Sequence, residues 1–215
     1  MNLIYLSELQ HHTLQQAISR FTRSQNISIG QGAYISSQHE PEQLYFRYTR
    51  ERYTQVGLDL AYYFDLEDAF DEMKIEKVFG YSFIHLSGGD TFRFLKAIKE
   101  RALLPRLLKY VESGGVVIGV SAGAMIMTSS IDSAVLCGDH NTVELSDFSG
   151  LGLGDFLIAP HADKSETECR DALKIANEHG LPIYLCSDDD AIVISGHEHI
   201  IIGCPLLVQP SLVRV

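Results

Sequence analysis

The chain has 215 residues, with 17 Lys and Arg against 28 Asp and Glu, for a formal charge of −11. That balance, with no Lys/Arg-rich run, argues against a non-specific nucleic-acid binder, because phosphate contacts need a basic face. Hydrophobic residues at 46% and charged residues at 21% exclude wholesale disorder, and the length fits one domain over residues 1–215 with a sizeable core.

At the start, Met1–Glu8 carries no basic n-region and only a short apolar run, which argues against a signal peptide. No stretch approaches the roughly 18 consecutive apolar residues of a spanning helix, so no membrane partner is expected. Leu3–Leu6 is predicted as a first strand, His12–Arg20 as a helix, Ala33–Ser36 as a strand and Gln43–Tyr53 as a helix. Leu60–Phe64 and Phe83–Leu86 are apolar runs of strand length. Phe92–Ser113 is predicted helical with a break at Pro105. Val116–Val120 is a β-branched buried strand opened by Gly114-Gly115, and Ala122–Thr128 begins a helix. Asp132–Gly154 is polar and Gly-containing, with a lid over a site as one reading. Phe156–Ala159 is a strand and Glu166–His179 a helix ended by Gly180 and Pro182. Ile183–Cys186, Ala191–Ser195 and His199–Ile202 are strands, the last two forming a hairpin across Gly196-His197.

Strands alternating with helices point to an α/β fold with a mostly parallel sheet covered on both faces. In such sheets ligands gather beyond the carboxyl ends of the strands, here after Leu86, Val120, Ala159 and Cys186. The four cysteines (Cys137, Cys169, Cys186, Cys204) are scattered without a C-x-x-C pair. They fit free thiols in a reducing compartment, and the cytoplasm is the expected location.

Three segments at strand ends carry chemistry. Gly119-Val120-Ser121-Ala122-Gly123 fits G-x-S-x-G, in which a strained turn with small neighbours lifts a Ser hydroxyl above the sheet. A plain strand-to-helix turn with an N-capping Ser would leave the same string. Ser87-Gly88-Gly89-Asp90-Thr91 places two glycines where backbone N–H groups can approach a ligand, and one of them with the N–H of Ala122 can form an oxyanion hole. An ordinary turn with Asp90 or Thr91 as helix cap is the simpler account. His161 follows a strand directly, at the sheet edge expected for Ser121, where a general base belongs.

At these sites the sequence resembles the peptidase E family of serine peptidases, which includes aspartyl dipeptidases and, more distantly, cyanophycinases. The resemblance rests on Ser87-Gly88-Gly89-Asp90-Thr91-Phe92-Arg93, on Gly119–Met125, and on Leu151-Gly152-Leu153 leading to Pro160-His161, covering residues 80–195. It implies a three-layer, class I glutamine amidotransferase-like α/β fold. It also implies a small peptide substrate, no metal or organic cofactor, and the chain order Ser, His, acid. Carried over by position, Ser121 is the nucleophile, His161 the base, and the N–H groups of Gly89 and Ala122 the oxyanion donors.

The acid belongs to the turn Ser187-Asp188-Asp189-Asp190-Ala191, where counting back from Ala191 favours Asp188 over Asp190. Asp163, two residues after the His, competes with it. In the aspartyl dipeptidases an Arg follows Glu-Thr after the His and pairs with the substrate aspartate; here Glu168 follows Glu166-Thr167. Arg170, Lys164 and Arg93 are the substitute cations, and Arg47, Tyr48 and Arg50 are further candidates to shape the pocket. Two rival readings remain: a metal site at His197-Glu198-His199, which lacks the three or four convergent ligands a metal needs, and a catalytically silent binding or regulatory module. The sequence leaves the choice between monomer and homodimer open.

Overall fold

The first strand of the chain lies inside the sheet, beside its central strand. In a computed structural model that describes residues 1–25 and 29–211, β1 (Asn2–Leu6) pairs in parallel with β5 (Val116–Val120) and antiparallel with β8 (Ala191–Ser195). The seven-stranded sheet runs β3-β2-β4-β5-β1-β8-β9, where β2 is Gln31–Ile35, β3 Asp59–Phe64, β4 Phe83–Leu86 and β9 Glu198–Ile202. Every pairing among β3, β2, β4, β5 and β1 is parallel; β8 runs against β1, and β9, antiparallel to β8, runs with β1 again.

Burial on both faces explains why β1 and β5 read as continuous apolar runs. Alternate side chains enter opposite cores: Leu3 and Tyr5 face one, Ile4 and Leu6 the other. On the first face lie α4 (Thr91–Glu100), α5 (Leu103–Glu112) and α6 (Ala122–Met127). On the second lie α1 (His11–Gln25), through Leu14, Ala17, Ile18 and Phe21, and α2 (Leu44–Gln55), through Phe46 and Tyr53. The helical spacing of those α1 residues makes one apolar stripe. The fold is thus a three-layer α/β structure with a mostly parallel sheet.

One expectation fails in an instructive way. β6 (Leu157–Ala159) and β7 (Ile183–Leu185) do not join the main sheet; with β10 (Leu206–Val208) they form a separate three-stranded sheet, packed on α7 (Glu166–His179) around Ala159, Ala172, Ile175 and Leu185. The β8–β9 hairpin occupies the edge of β1 that they would have needed. Two other differences are local. The predicted helix Phe92–Ser113 breaks before Pro105, at Ala102 (φ 51°), and Pro105 falls in the first turn of α5, where its missing N–H costs nothing. The short helix α3 (Glu72–Val78), capped by the Asp71 carboxylate accepting from Met73 N, was not anticipated.

The polar segment Asp132–Gly154 is no lid. It contains a 3-10 helix (Asp132–Cys137) and is strapped to α4: the Asp139 carboxylate accepts from Thr91 N at 3.2 Å, and Lys96 Nζ donates to Val143 O at 2.9 Å. Among the described residues, no helix is long and apolar enough to cross a membrane.

Tyr5 ties the approach to the second sheet onto β1. Its ring is fully buried against Phe156 at 5.1 Å, and its hydroxyl donates to Leu153 O at 2.8 Å. Tyr5→Phe keeps the ring and leaves a buried carbonyl unpaired, so thermal unfolding should show a loss of about 1–2 kcal/mol. An unchanged midpoint would mean that Leu153 O finds another donor.

Candidate active site

The register of the central strands brings three chain ends to one place. Leu6 lies beside Val120 on one side and Ala191 on the other. The residues after β1, after β5 and before β8 therefore cluster at a single edge of the sheet. Ser121 follows β5 at φ 51°, ψ −113°, a conformation that side chains rarely adopt. Its N–H donates to Leu6 O at 3.0 Å. The flanking glycines are required by contact: a Cβ on Gly123 would sit 2.2 Å from Leu86 O, and one on Gly119 would sit 2.6 Å from the carbonyl carbon of Gly123. The G-x-S-x-G spacing is thus a packing requirement of the turn.

His161 arrives from the other sheet, in the turn after β6, at φ 56°. Its backbone N–H donates to Ser7 Oγ at 2.9 Å, and Ser7 Oγ donates in turn to Cys186 O at 3.0 Å. The imidazole Nε2 lies 2.9 Å from Ser121 Oγ, and Nδ1 lies 2.7 Å from Asp188 Oδ1.

The rival carboxylates do other things. Asp163 is exposed and accepts from Ser165 N at 2.7 Å, a bond that holds its carboxyl below the ordinary range. Asp190 is 2% exposed and folds the turn that carries Asp188. One oxygen accepts from Ser187 N, Ser187 Oγ and Lys164 Nζ at 2.8, 2.8 and 2.9 Å, and the other accepts from Cys204 N at 2.6 Å. Burial raises its pKa, but the bonds from Lys164, Ser187 and Cys204 together hold it below the ordinary carboxylate value.

The glycine turn after β4 completes the edge. Gly89 adopts φ 131° and approaches Ser37 so closely that a Cβ would fall 2.3 Å from Ser37 Oγ. Ser37 Oγ donates to Gly88 O at 2.6 Å, while Asp90 caps α4 by accepting from Arg93 N at 2.9 Å. The N–H groups of Gly89 and of Ala122, the first residue of α6, donate to no acceptor among the described residues.

Ser121, His161, Asp188 and Gly89 line a cleft of about 920 Å³. Glu8, Tyr34, Glu40, Tyr45, Tyr48 and His85 line the same cleft. Tyr34 and His85 stack at 5.1 Å with their planes 10° apart. Burial pushes the His85 imidazole down to about 3, so the ring is neutral. Burial, followed by the Glu40 charge, pushes the Tyr34 phenol well above its usual value. Glu40 accepts from the N–H groups of Tyr45 (3.0 Å) and Phe46 (3.4 Å), capping the first turn of α2.

None of the cations named from the sequence lines this cleft. Arg93 forms a two-pronged pair with Glu67, Lys164 is committed to Asp190, and Arg170 lies on α7. Arg50 pairs with Asp59 at 3.7 Å, and Arg47 donates to Glu42 O, so of those α2 candidates only Tyr48 reaches the cleft. His197 sits in the β8–β9 turn and His199 stacks on Phe156 at 5.6 Å. No group of three or more His, Cys, Asp or Glu converges as a metal site among the described residues.

Sequence reasoning missed Ser7, Glu8, Tyr34, Ser37, Glu40 and His85. The rule that directed attention beyond the strand ends applies equally to Leu6 and Ile35, and would have found Ser7-Glu8 and Ser37.

The Asp190 network makes a pH-dependent contribution. A depressed folded-state pKa stabilises above the ordinary carboxylate range, and this support is lost as pH falls through the folded value. Asp190→Asn should cost about 2–4 kcal/mol near neutral pH. The deficit relative to wild type should shrink in denaturant titrations at progressively lower pH; a deficit constant with pH would count against this role.

Comparison with known proteins agrees with this architecture. The chain is 30% identical over 123 residues to an uncharacterized peptidase of Pasteurella multocida (strain Pm70), covering 56% of this chain and 59% of the relative. Peptidase E of Citrobacter koseri is 37% identical over 76 residues, 35% of this chain and 32% of that protein. The matched part thus spans less than two thirds of the length of these curated relatives. Among solved structures, a candidate peptidase E from Listeria monocytogenes EGD-e superposes with a TM-score of 0.69 at 24% identity, over 95% of this chain and 98% of that one. A peptidase from an acI-B1 Actinobacterium superposes with a TM-score of 0.60 at 15% identity, over 97% and 94%. These two likenesses concern the fold. The model of peptidase family S51 matches residues 6–202, and on that match the chain belongs to peptidase family S51.

Proposed function

We propose that the protein is a serine peptidase that cleaves small peptides, acting as an exopeptidase through an acyl-enzyme on Ser121. The observation that carries this reading is the hydrogen-bonded series Ser121 Oγ, His161 Nε2, His161 Nδ1, Asp188 Oδ1, with separations of 2.9 and 2.7 Å. Family membership supports the same chemistry.

Ser121 Oγ attacks the scissile carbonyl carbon while His161 Nε2 takes its proton. Asp188 fixes the imidazole tautomer and stabilises the imidazolium that forms. The carbonyl oxygen, now negative, accepts from the N–H groups of Gly89 and Ala122, which have no competing acceptor among the described residues. His161 then gives its proton to the leaving amine as the C–N bond breaks. A water, deprotonated by the same imidazole, releases the acyl group and restores Ser121. The mechanism calls on no cofactor. The strained turn at Ser121 supports this by presenting the hydroxyl without a change in backbone.

We also infer a cytoplasmic location, supported by four cysteines that are all free thiols. Cell fractionation tests it, and recovery in an exported fraction would overturn it.

A fluorophosphonate probe should label the wild type, and Ser121→Ala should abolish labelling. Against a dipeptide panel, Ser121→Ala and His161→Ala should each lower kcat by about 10⁴–10⁶, and Asp188→Asn by about 10⁴. Asp163→Asn should retain kcat within a few-fold. A folded wild type that neither labels nor turns over peptides would instead favour a silent binding module.

A further inference from the structure

The family resemblance raises the expectation of an acidic substrate, yet the cleft is built for the opposite charge. Its lining contains Glu8, Glu40 and Asp188 and, among the described residues, no Lys or Arg. Asp188 is engaged by His161 and Glu40 by the start of α2, which leaves Glu8. That side chain is half-buried; one carboxylate oxygen accepts from Leu9 N at 2.6 Å, and the other has no partner among the described residues.

Two further features indicate that something else binds here. Leu44, Tyr45 and Tyr48, on the first turns of α2, are 60%, 65% and 47% exposed and line the same cleft. Large side chains gathered at a cleft mouth mark a binding surface more often than chance exposure. His85, only 2% exposed, holds Tyr53 Oη at Nδ1 (2.9 Å), while its Nε2 has no partner among the described residues and its ring lines the cleft. It offers a neutral polar contact at the cleft floor.

We propose that the Ser121 cleft selects peptides carrying a cationic side chain, an ammonium or guanidinium, held by the Glu8 carboxylate and the exposed Tyr45 ring. A cation over an aromatic ring gains from the ring quadrupole, most strongly where water is displaced. The Tyr48 ring is already taken in this way, with the Arg52 guanidinium 4.8 Å over it and donating to its hydroxyl at 2.8 Å, which leaves the Tyr45 ring for a ligand. An acidic side chain would meet Glu8 and Glu40, and no Lys or Arg is among the described residues that line the cleft. The whole-molecule charge of −11 works in the same direction, drawing cationic peptides in and repelling anionic ones.

This inference rests on the serine-peptidase reading, and the test separates the two. Dipeptides that differ in one side chain (Lys, its uncharged isostere norleucine, and Glu) are presented with that residue on either side of the scissile bond. For at least one placement, Lys should exceed norleucine in kcat/KM by about tenfold and exceed Glu by more. Glu8→Gln should bring the Lys-to-norleucine ratio of kcat/KM down to within about twofold of one. Fluorophosphonate labelling of Ser121 is measured on the same samples. Labelling with equal turnover of Lys and norleucine, or with a preference for Glu, overturns the charge selection and leaves the hydrolase standing. Equal losses for both substrates in Glu8→Gln would make Glu8 structural and overturn its assignment. Absence of both labelling and turnover sinks the two readings together.

Discussion

Everything at the site hangs from the carboxyl end of β1. Leu6 O accepts the Ser121 N–H, Ser7 N donates to Asp190 O, and Ser7 Oγ accepts the His161 N–H. These bonds connect Ser121, the turn bearing Asp188, and His161 to one fully buried residue and its neighbour. Ser7 also donates to Cys186 O, whose own N–H bonds Ala159 O, so the same hydroxyl joins the two sheets. A buried hydroxyl that donates once and accepts once is satisfied on both counts, which lets a polar joint persist at the meeting of two apolar layers.

The strain of the site is offset around it. Ser121 and His161 both hold positive φ without being glycine. Such positions cost on the order of 1–3 kcal/mol each and survive where surroundings over-determine them. At Ser121 that role falls to the Gly119–Gly123 contact, the Leu6 bond and a short buried helix behind it. At His161 it falls to the Ser7 hydroxyl and to Ala162 N donating to Cys186 O. The two residues whose side chains meet are therefore fixed by backbone interactions, not by each other.

Legibility in the sequence followed locality. The elbow at Ser121 could be read because both its causes, a buried β-branched strand and two contact-limited glycines, lie within a few residues. The α/β class could be read because alternation of short apolar runs with longer helices is a property of the whole chain. His161 could be read only through its placement, at the end of a strand on the sheet edge expected for Ser121, since a single histidine carries no local signal of its own. The split into two sheets was hidden because β6 and β7 are three residues each, too short for periodicity to state which edge they join. The rest of the cleft lining was hidden for a related reason: Glu8, Tyr34, Glu40 and His85 come together only through the strand order β2-β4-β5-β1. The break near residue 102 followed from backbone conformation at Ala102, while Pro105, the more visible signal, proved compatible with the start of a helix.

The separation of the sheets has a consequence for how the molecule tolerates error. Ser121 is a terminus of one sheet and His161 a terminus of the other, so their 2.9 Å approach gauges the alignment of two layers. Moving one strand by a single residue shifts it about 3.3 Å, several times the half-ångström latitude of a hydrogen bond. Each layer can be individually sound, with its own core, and the pair still be out of true. The Ser121–His161 contact is then the finest-graded measure of assembly the protein possesses, and changes far from the cleft that leave each core intact are felt first there.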